Sequence, residues 1–360
     1  MAKPIVGIDI GSDSVKLALI SGGLVRKLVS APVPNNLVRD YRVVSPESMG
    51  EFIRATLKEN GIHCKDAAIV FPEELVYVKT VTAPVMTVDQ LTYNLPFEFR
   101  DYITDELKNY IFDYAMISTP EEILQRSAAG GKAAPAGGKK TEEKKDADAD
   151  KKEAEGGDAM ELLAAAVPIN LMAEARSYLR KAGLKLVKAS PAVSSYITLI
   201  RRIQSIGTGR QEYCVLDLGY RAIRMYMFRG ERHMVTRVLE IGLSILDEVL
   251  ADAYSVDVHL AHTYLLTNYD GCQEKEVCMN AFSNIAVELM RALNFYRFSN
   301  PDSQIEDVWL CGGGAEIPQL CDAIRDTLGL QMHSAAELAG VSDRAGNCSG
   351  TILAIGAALS

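Results

Sequence analysis

Apolar positions along this chain follow two rhythms, and the order of those rhythms gives the first architecture. The run Ile5-Val6-Gly7-Ile8-Asp9-Ile10 and the alternating Val15, Leu17 and Leu19 that follow it predict two consecutive strands. Ser45 followed by Pro46 is an N-cap and first-turn pair. Met49, Phe52, Ile53 and Leu57 then share one helical face, which stops at Gly61, and the strand AAIVF comes next. Asn170 is expected to cap a second helix through Leu179, ending at Gly183 before the strand LKLVKAS. The stretch AVELMRALNFYRF reads as a further amphipathic helix, with Glu288 and Arg291 one turn apart. Strands alternating with helices argue for an α/β chain.

Sliding the sequence against itself by 208 positions exposes an internal repeat. Asp9-Ile-Gly11 falls on Asp217-Leu-Gly219, and Val15, Leu17 and Leu19 fall on Ile223, Met225 and Met227. Gly22 falls on Gly230, and Lys16 meets Arg224. A strand ending in Asp-x-Gly, a turn, an alternating strand and a glycine turn thus recur in register, which predicts two duplicated lobes facing one another.

One segment breaks the pattern. Ser127 to Asp158 contains 32 residues without a Val, Ile, Leu, Met or aromatic side chain, and its seven lysines nearly balance eight acids. It has nothing to bury and is expected to be a disordered, solvated loop. The flanking runs IFDYAMIS and AMELLAAAVPI are strand-like and are expected to pair across it.

Composition narrows the function. Over 360 residues, 48% are hydrophobic and 24% charged, enough for a core in each of two domains. With 38 basic and 47 acidic residues the net charge is −9, which argues against nucleic acid or bare anionic lipid as a partner. No apolar run approaches the roughly 18 residues of a membrane span, and the N-terminus lacks a signal-peptide core, so a cytoplasmic protein without direct membrane insertion is expected. Seven cysteines without a C-x-x-C pair read as reduced, packing thiols.

The candidate chemistry gathers at three turns. In Asp9-Ile-Gly11-Ser12-Asp13-Ser14-Val15-Lys16, the glycine lets backbone approach a ligand, and the following amides, two hydroxyls and a lysine suit anionic oxygens. Asp9 and Asp217, each at the end of a strand, are the expected metal pair for a hydrated divalent cation, with Lys16 toward a terminal phosphate. The run Cys311-Gly312-Gly313-Gly314 leaves a strand for a helix and permits close approach of a flat base or sugar. Trp309 lies in an apolar strand and reads as core. His259 and His262 are three apart on a helical stretch without a third ligand nearby, so they read as surface or core polar residues.

Two Asp-x-Gly strands and a late triple glycine resemble the phosphate and adenosine motifs of the actin, sugar kinase and chaperone ATPase superfamily. The segment VYVKTVTAPVMTVDQLTYNLPFEFRDYITDELKNYIFDYAMI, the link AGLKLVKASP and the final ILAIGAAL resemble the type IV pilus assembly PilM family, relatives of the division protein FtsA. The resemblance implies a duplicated ribonuclease-H-like (actin-like ATPase) two-lobed fold with a small inserted α/β domain. Its expected parts are residues 1–83 and 171–207 as the first lobe, 84–170 as the insertion holding the 127–158 loop, 208–345 as the second lobe, and 346–360 as a helix returning to the first.

The resemblance also implies ATP and Mg²⁺ as cofactors. Their ligands would be Gly11, Ser12, Asp13, Ser14, Lys16, Gly219, Gly242, Gly312, Gly313 and Gly314, with Glu288 and Arg291 at the helix positions that touch ribose and base in related ATPases. The second loop departs from the pattern, with Ala222 and Ile223 where hydroxyls are usual and Leu243 where a second glycine is common. Ser190-Pro191-Ala192 lacks the acid or amide that would orient water, so binding with weak or absent hydrolysis is expected and no catalytic residue is assigned. The implied role is a cytoplasmic adaptor of a type IV pilus or related secretion machine. It would grip the cytoplasmic N-terminal tail of a PilN-like bitopic inner-membrane protein, alongside other assembly components. Two rivals stand beside it: an FtsA-like division protein, disfavoured because the chain stops at Ser360 without an amphipathic membrane helix, and a small-molecule kinase, for which no catalytic base is found.

Overall fold

The structure, a computed structural model, describes residues 3–34, 36–118, 159–205, 207, 210–341 and 348–360; the loop expected at 127–158 lies outside them. The chain divides into two compact units, Met1–Val76 with Val167–Ser360, and Tyr77–Ala166.

The first unit opens on β1 (Ile5–Ile10), β2 (Ser14–Ser21) and β3 (Leu24–Pro32), an antiparallel meander. A short hairpin, β4 (Val38–Arg39) and β5 (Arg42–Val43), leads to α1 (Pro46–Glu59). The Ser45 side chain accepts from the Ser48 amide, and Met49, Ile53 and Leu57 are buried, as the spacing predicts. Strand β6 (Asp66–Phe71) then runs parallel to β1.

The second unit holds β7 (Tyr77–Pro84), α2 (Val88–Asn94), β8 (Tyr110–Ser118) and β9 (Ala159–Pro168), whose last two residues re-enter the first unit. Its sheet order is β7-β9-β8, so the two strand-like runs flanking the compositional break do lie side by side. Val81, Leu95, Phe99 and Ile103 form its small core.

Helix α3 (Ile169–Lys181) follows β9 directly. Here the expected cap moves: Pro168 is the N-cap position, and Asn170 sits inside the first turn, where its Oδ1 accepts from the Leu171 amide at 2.8 Å. The strand runs up to Pro168, whose fixed φ starts the helix two residues early. Strand β10 (Lys185–Pro191) joins β6 in parallel, completing the order β10-β6-β1-β2-β3, and α4 (Ala192–Gln204) crosses to the second half.

That half repeats the plan. Strands β11 (Glu212–Leu218), β12 (Ile223–Arg229) and β13 (Arg232–Leu239) form the second meander. Helices α5 (Ser244–Tyr254), α6 (Val258–Thr267) and α7 (Glu276–Ser299) follow. Strand β14 (Asp307–Cys311), α8 (Pro318–Leu328), β15 (Gln331–Ser334), α9 (Ala335–Ala339) and α10 (Cys348–Leu359) complete the chain. The second sheet runs β15-β14-β11-β12-β13, antiparallel and parallel pairings falling where they fall in the first. The repeat extends to register: Asp9 lies opposite Lys16 in the first hairpin and Asp217 opposite Arg224 in the second. This is the duplicated ribonuclease-H-like, actin-like ATPase fold with a small inserted α/β unit.

Helix α10 packs on β1, β2 and β6. It approaches so closely that a Cβ on Gly7 would lie 1.8 Å from the Ala354 carbonyl oxygen. Trp309 is fully buried, its ring stacked on His333 and tilted against Tyr213, which makes it core as its strand position predicts.

Candidate functional site

Duplicated hairpins place duplicated turns at one end of each sheet, and an open cleft lies between them. The first turn contributes Asp9, Gly11, Ser12, Asp13, Ser14 and Lys16 to its lining, the second Asp217, Gly219 and Arg224, and the third Gly312 and Gly313. Ala192, at the start of α4, lines it as well. Of the remaining sequence candidates, Gly242 packs beneath the second turn, where a Cβ would lie 2.3 Å from the Tyr220 carbonyl oxygen. Gly314 is buried against Leu218 and Leu243. Glu288 and Arg291 pair with each other on the exposed face of α7, outside the cleft lining.

The glycines at the cleft do steric work. A Cβ on Gly11 would meet the Lys16 ammonium at 2.6 Å, and the Gly11 amide donates to the Ser14 carbonyl at 3.0 Å, which keeps the turn tight. Gly312 has φ +82°, and a Cβ there would fall 2.5 Å from Asp217 Oδ1. Only glycine holds that backbone against the carboxylate.

The two halves of the site are chemically unlike. In the first, burial raises the pKa of Asp9, opposed by the charges of Lys16 and Arg224. In the second, Arg224 is turned toward Glu74: its Nε and Nη2 donate to Glu74 Oε1 at 3.0 and 2.6 Å, and its Nη1 lies 3.8 Å from Asp217 Oδ2. Its guanidinium also stands 5.2 Å from the centre of the Tyr41 ring. Burial works against the charge of Arg224, but Asp217, Tyr226 and Glu74 outweigh it and raise its pKa. Asp217 is raised by burial, with Arg224 opposing and Asp9 adding to the rise.

Glu73 belongs to the same network. Tyr226 donates its hydroxyl to Glu73 Oε2 at 2.8 Å, and the Val193 amide donates to Oε1 at 3.1 Å. Burial pushes this carboxyl up to about 7, against the Tyr226 hydrogen bond and the Arg224 charge. Glu73 and Glu74 form a 3-10 turn after β6, while Arg224 and Tyr226 stand on β12, so these contacts join the two sheets across the cleft.

His262 is the other residue that sequence spacing undervalued. It lines the cleft from α6, with Nδ1 2.9 Å from Oδ2 of the buried Asp247 on α5 and Nε2 3.6 Å from Asp13 of the first turn. Asp247 stands 15 residues earlier on another helix, so no local motif could have paired them. Glu73 and Glu74 gave no signal either, since two acids after a proline read as a solvated turn.

The first turn, with its backbone amides, the hydroxyls of Ser12 and Ser14, and Lys16, suits anionic oxygens. For a cation the fit is looser. Among the described residues no group of three or more His, Cys, Asp or Glu is arranged to hold a metal. Asp9 and Asp217 would therefore hold a divalent ion mainly through its water, which suits Mg²⁺ better than an ion needing an all-protein cage. Among the described residues no helix is long and apolar enough to cross a membrane.

No curated protein sequence matches the chain significantly. Among solved structures, the PilM–PilN type IV pilus biogenesis complex matches with a TM-score of 0.77 at 20% identity, covering 99% of this chain and 97% of that one. The ethanolamine utilization protein EutJ from Carboxydothermus hydrogenoformans matches with a TM-score of 0.58 at 13% identity, covering 100% and 90%. At these identities the likeness establishes the fold. The family model described as type IV pilus assembly protein PilM matches residues 7–126 and 146–345. Spanning most of the chain on both sides of the compositional break, that match carries the assignment: this chain belongs to the type IV pilus assembly protein PilM family.

Proposed function

We propose that this protein is a nucleotide-binding adaptor of a type IV pilus assembly machine, holding ATP with Mg²⁺ in the cleft and engaging the cytoplasmic tail of a PilN-like bitopic membrane protein. The observation that carries the nucleotide half is the register of the duplicated hairpins, which sets Asp9 and Asp217 across the cleft from one another beside Lys16. Phosphates would rest on Gly11, Ser12, Asp13, Ser14 and Lys16, the metal water on Asp9 and Asp217, and the nucleoside near Gly219, Gly312 and Gly313. Gly242 and Gly314 would support these turns from below, and Glu288 and Arg291 would act only by reaching in from α7. The residue ranges proposed for the lobes and the insertion are those of the sequence reading. Family membership, together with the likeness to the PilM–PilN complex, supports the adaptor half and a place at the cytoplasmic face of the membrane through that partner.

Binding is favoured over turnover because Ala192 stands in the cleft lining where relatives carry a group to orient water. The test is calorimetric titration of the full chain with Mg-ATP. Lys16→Ala should weaken binding about ten-fold to a hundred-fold, because a charge-assisted contact is worth roughly 1.5 to 3 kcal/mol. Parent and variant are then compared on vesicles displaying the tail peptide of a PilN-like protein. Sedimentation of the parent with bare anionic vesicles would favour a direct membrane binder instead.

A further inference from the structure

His262 is built into the cleft in a way that a packing residue is not. Its Nδ1 is fixed by Asp247, whose side chain is 1% exposed, with contacts of 2.9 and 3.1 Å to the two carboxylate oxygens. The Tyr220 ring stands edge-on to the imidazole at 5.4 Å between centres and restrains its plane. The opposite nitrogen, Nε2, faces the first turn and comes no nearer to Asp13 than 3.6 Å, beyond hydrogen-bonding distance. A buried carboxylate thus orients a ring whose far donor is left for something else, on the side of the cleft where Gly11, Ser12, Asp13 and Ser14 lie.

Resting on the reading of the cleft as a nucleotide site, we propose that His262 is a phosphate-binding residue contributed by the second lobe, and that it determines the preference for nucleoside triphosphate over diphosphate. Asp247 is then its positioning residue. A phosphate on the first turn carries the negative charge that the imidazolium now shares with Asp13, and accepts the Nε2 hydrogen at a distance the Asp13 carboxylate does not reach. Loss of the terminal phosphate removes that acceptor while the remaining contacts persist.

The ionisable groups facing His262 are Asp247 on α5, Asp13 on the first turn and Tyr220 on the second, with Glu248 adjoining Asp247 and His259 one turn away on α6 itself. The Asp247 hydrogen bond raises the imidazole pKa above its usual range, burial opposes this, and the Asp247 and Asp13 charges add to the rise. The charged contact is therefore complete at low pH and is lost as pH rises through that raised value.

Calorimetry of the full chain with Mg-ATP and with Mg-ADP, at about pH 6 and about pH 8.5, tests the assignment. The parent should favour ATP. His262→Ala should lower ATP affinity about ten-fold to a hundred-fold, the worth of one charge-assisted contact, and leave ADP affinity within about two-fold. His262→Gln retains a donor without a titrating charge. It should keep part of the ATP preference and supplies the reference curve, because the terminal phosphate of ATP titrates in the same range. Asp247→Asn should move the excess pH dependence of the parent to lower pH. An ATP-to-ADP ratio equal in parent and His262→Ala overturns the role of His262 and leaves the nucleotide reading intact. A folded parent that binds neither nucleotide overturns that reading, and this assignment with it.

Discussion

Arg224 is the residue on which the charge balance of the cleft turns, and replacing it with methionine isolates its contribution. Methionine keeps an unbranched apolar stem but loses the guanidinium, and with it the cation–π contact to Tyr41. The side chains of Arg224 and Glu74 are 9% and 21% exposed, which makes theirs a part-buried ion pair, screened less than a surface one. Removing one partner of such a pair leaves an uncompensated charge and costs roughly 3–5 kcal/mol. The partial exposure of Glu74 argues for the lower end, about 3 kcal/mol, or about 5 °C in Tm for a unit of this size. Glu74→Gln should cost less, about 1–2 kcal/mol, since Arg224 retains Asp217 and an amide oxygen. The double variant should be less destabilised than the sum of the singles by about 1–2 kcal/mol. Urea or thermal unfolding at about pH 8 and about pH 5.5 adds a sign test. Burial already holds the Asp217 carboxyl above its unfolded value with Arg224 opposing, so removing Arg224 raises it further, and the penalty is full at about pH 8 and shrinks as Asp217 takes up a proton toward acid. A penalty below about 1 kcal/mol, or one that grows toward acid, would refute this account of the network.

Glu73→Gln cannot ionise and, like the protonated acid, keeps one acceptor oxygen for the Val193 amide, while its amide nitrogen can donate to the Tyr226 hydroxyl. Because the folded pKa of Glu73 is raised from 4.5 to about 7, its protonated form stabilises the fold fully below the unfolded pKa, and that contribution is lost as pH rises to about 7. Unfolding midpoints of the variant should therefore fall less than those of the parent between about pH 5 and about pH 8; equal slopes would exclude the effect. Gly7→Ala puts a methyl group into the backbone of α10 and should cost about 3 kcal/mol or more, read from urea midpoints and from loss of soluble yield. A near-neutral result would mean that α10 does not dock on β1 as described.

Much of this arrangement was legible because it is written in local or repeating signals. The Ser45-Pro46 pair fixed the start of α1, and the alternation of Val15, Leu17 and Leu19 against Ile223, Met225 and Met227 fixed two hairpins with the same register. The Asn170 cap was misplaced because Pro168 both ends a strand and starts a helix, a conflict that composition does not resolve. Helix α7 was seen only from its amphipathic second half. Its first turns bury Cys278, Ala281 and Phe282, small and aromatic residues that give a weak period on their own. The polar network was the least legible part, since Glu74 meets Arg224 and Asp247 meets His262 only after the sheets and helices are in place.

The duplication also explains why the two turns need not serve the same purpose. Equivalent strand positions hold Lys16 and Arg224, yet the shorter lysine stays beside its own glycine, and the longer, forked arginine reaches a carboxylate of the other sheet. Glu74 and Asp217 share that fork, and the second turn is flanked by Tyr220 and Leu243, whereas the first carries the hydroxyls of Ser12 and Ser14 into the cleft lining. On the proposed reading phosphate is held mainly from one lobe, while the other supplies carboxylate, counter-charge and the ties that join the sheets. On that same reading the site would retain a nucleotide rather than turn it over, because Ala192 stands in the lining where an acid or amide would orient water.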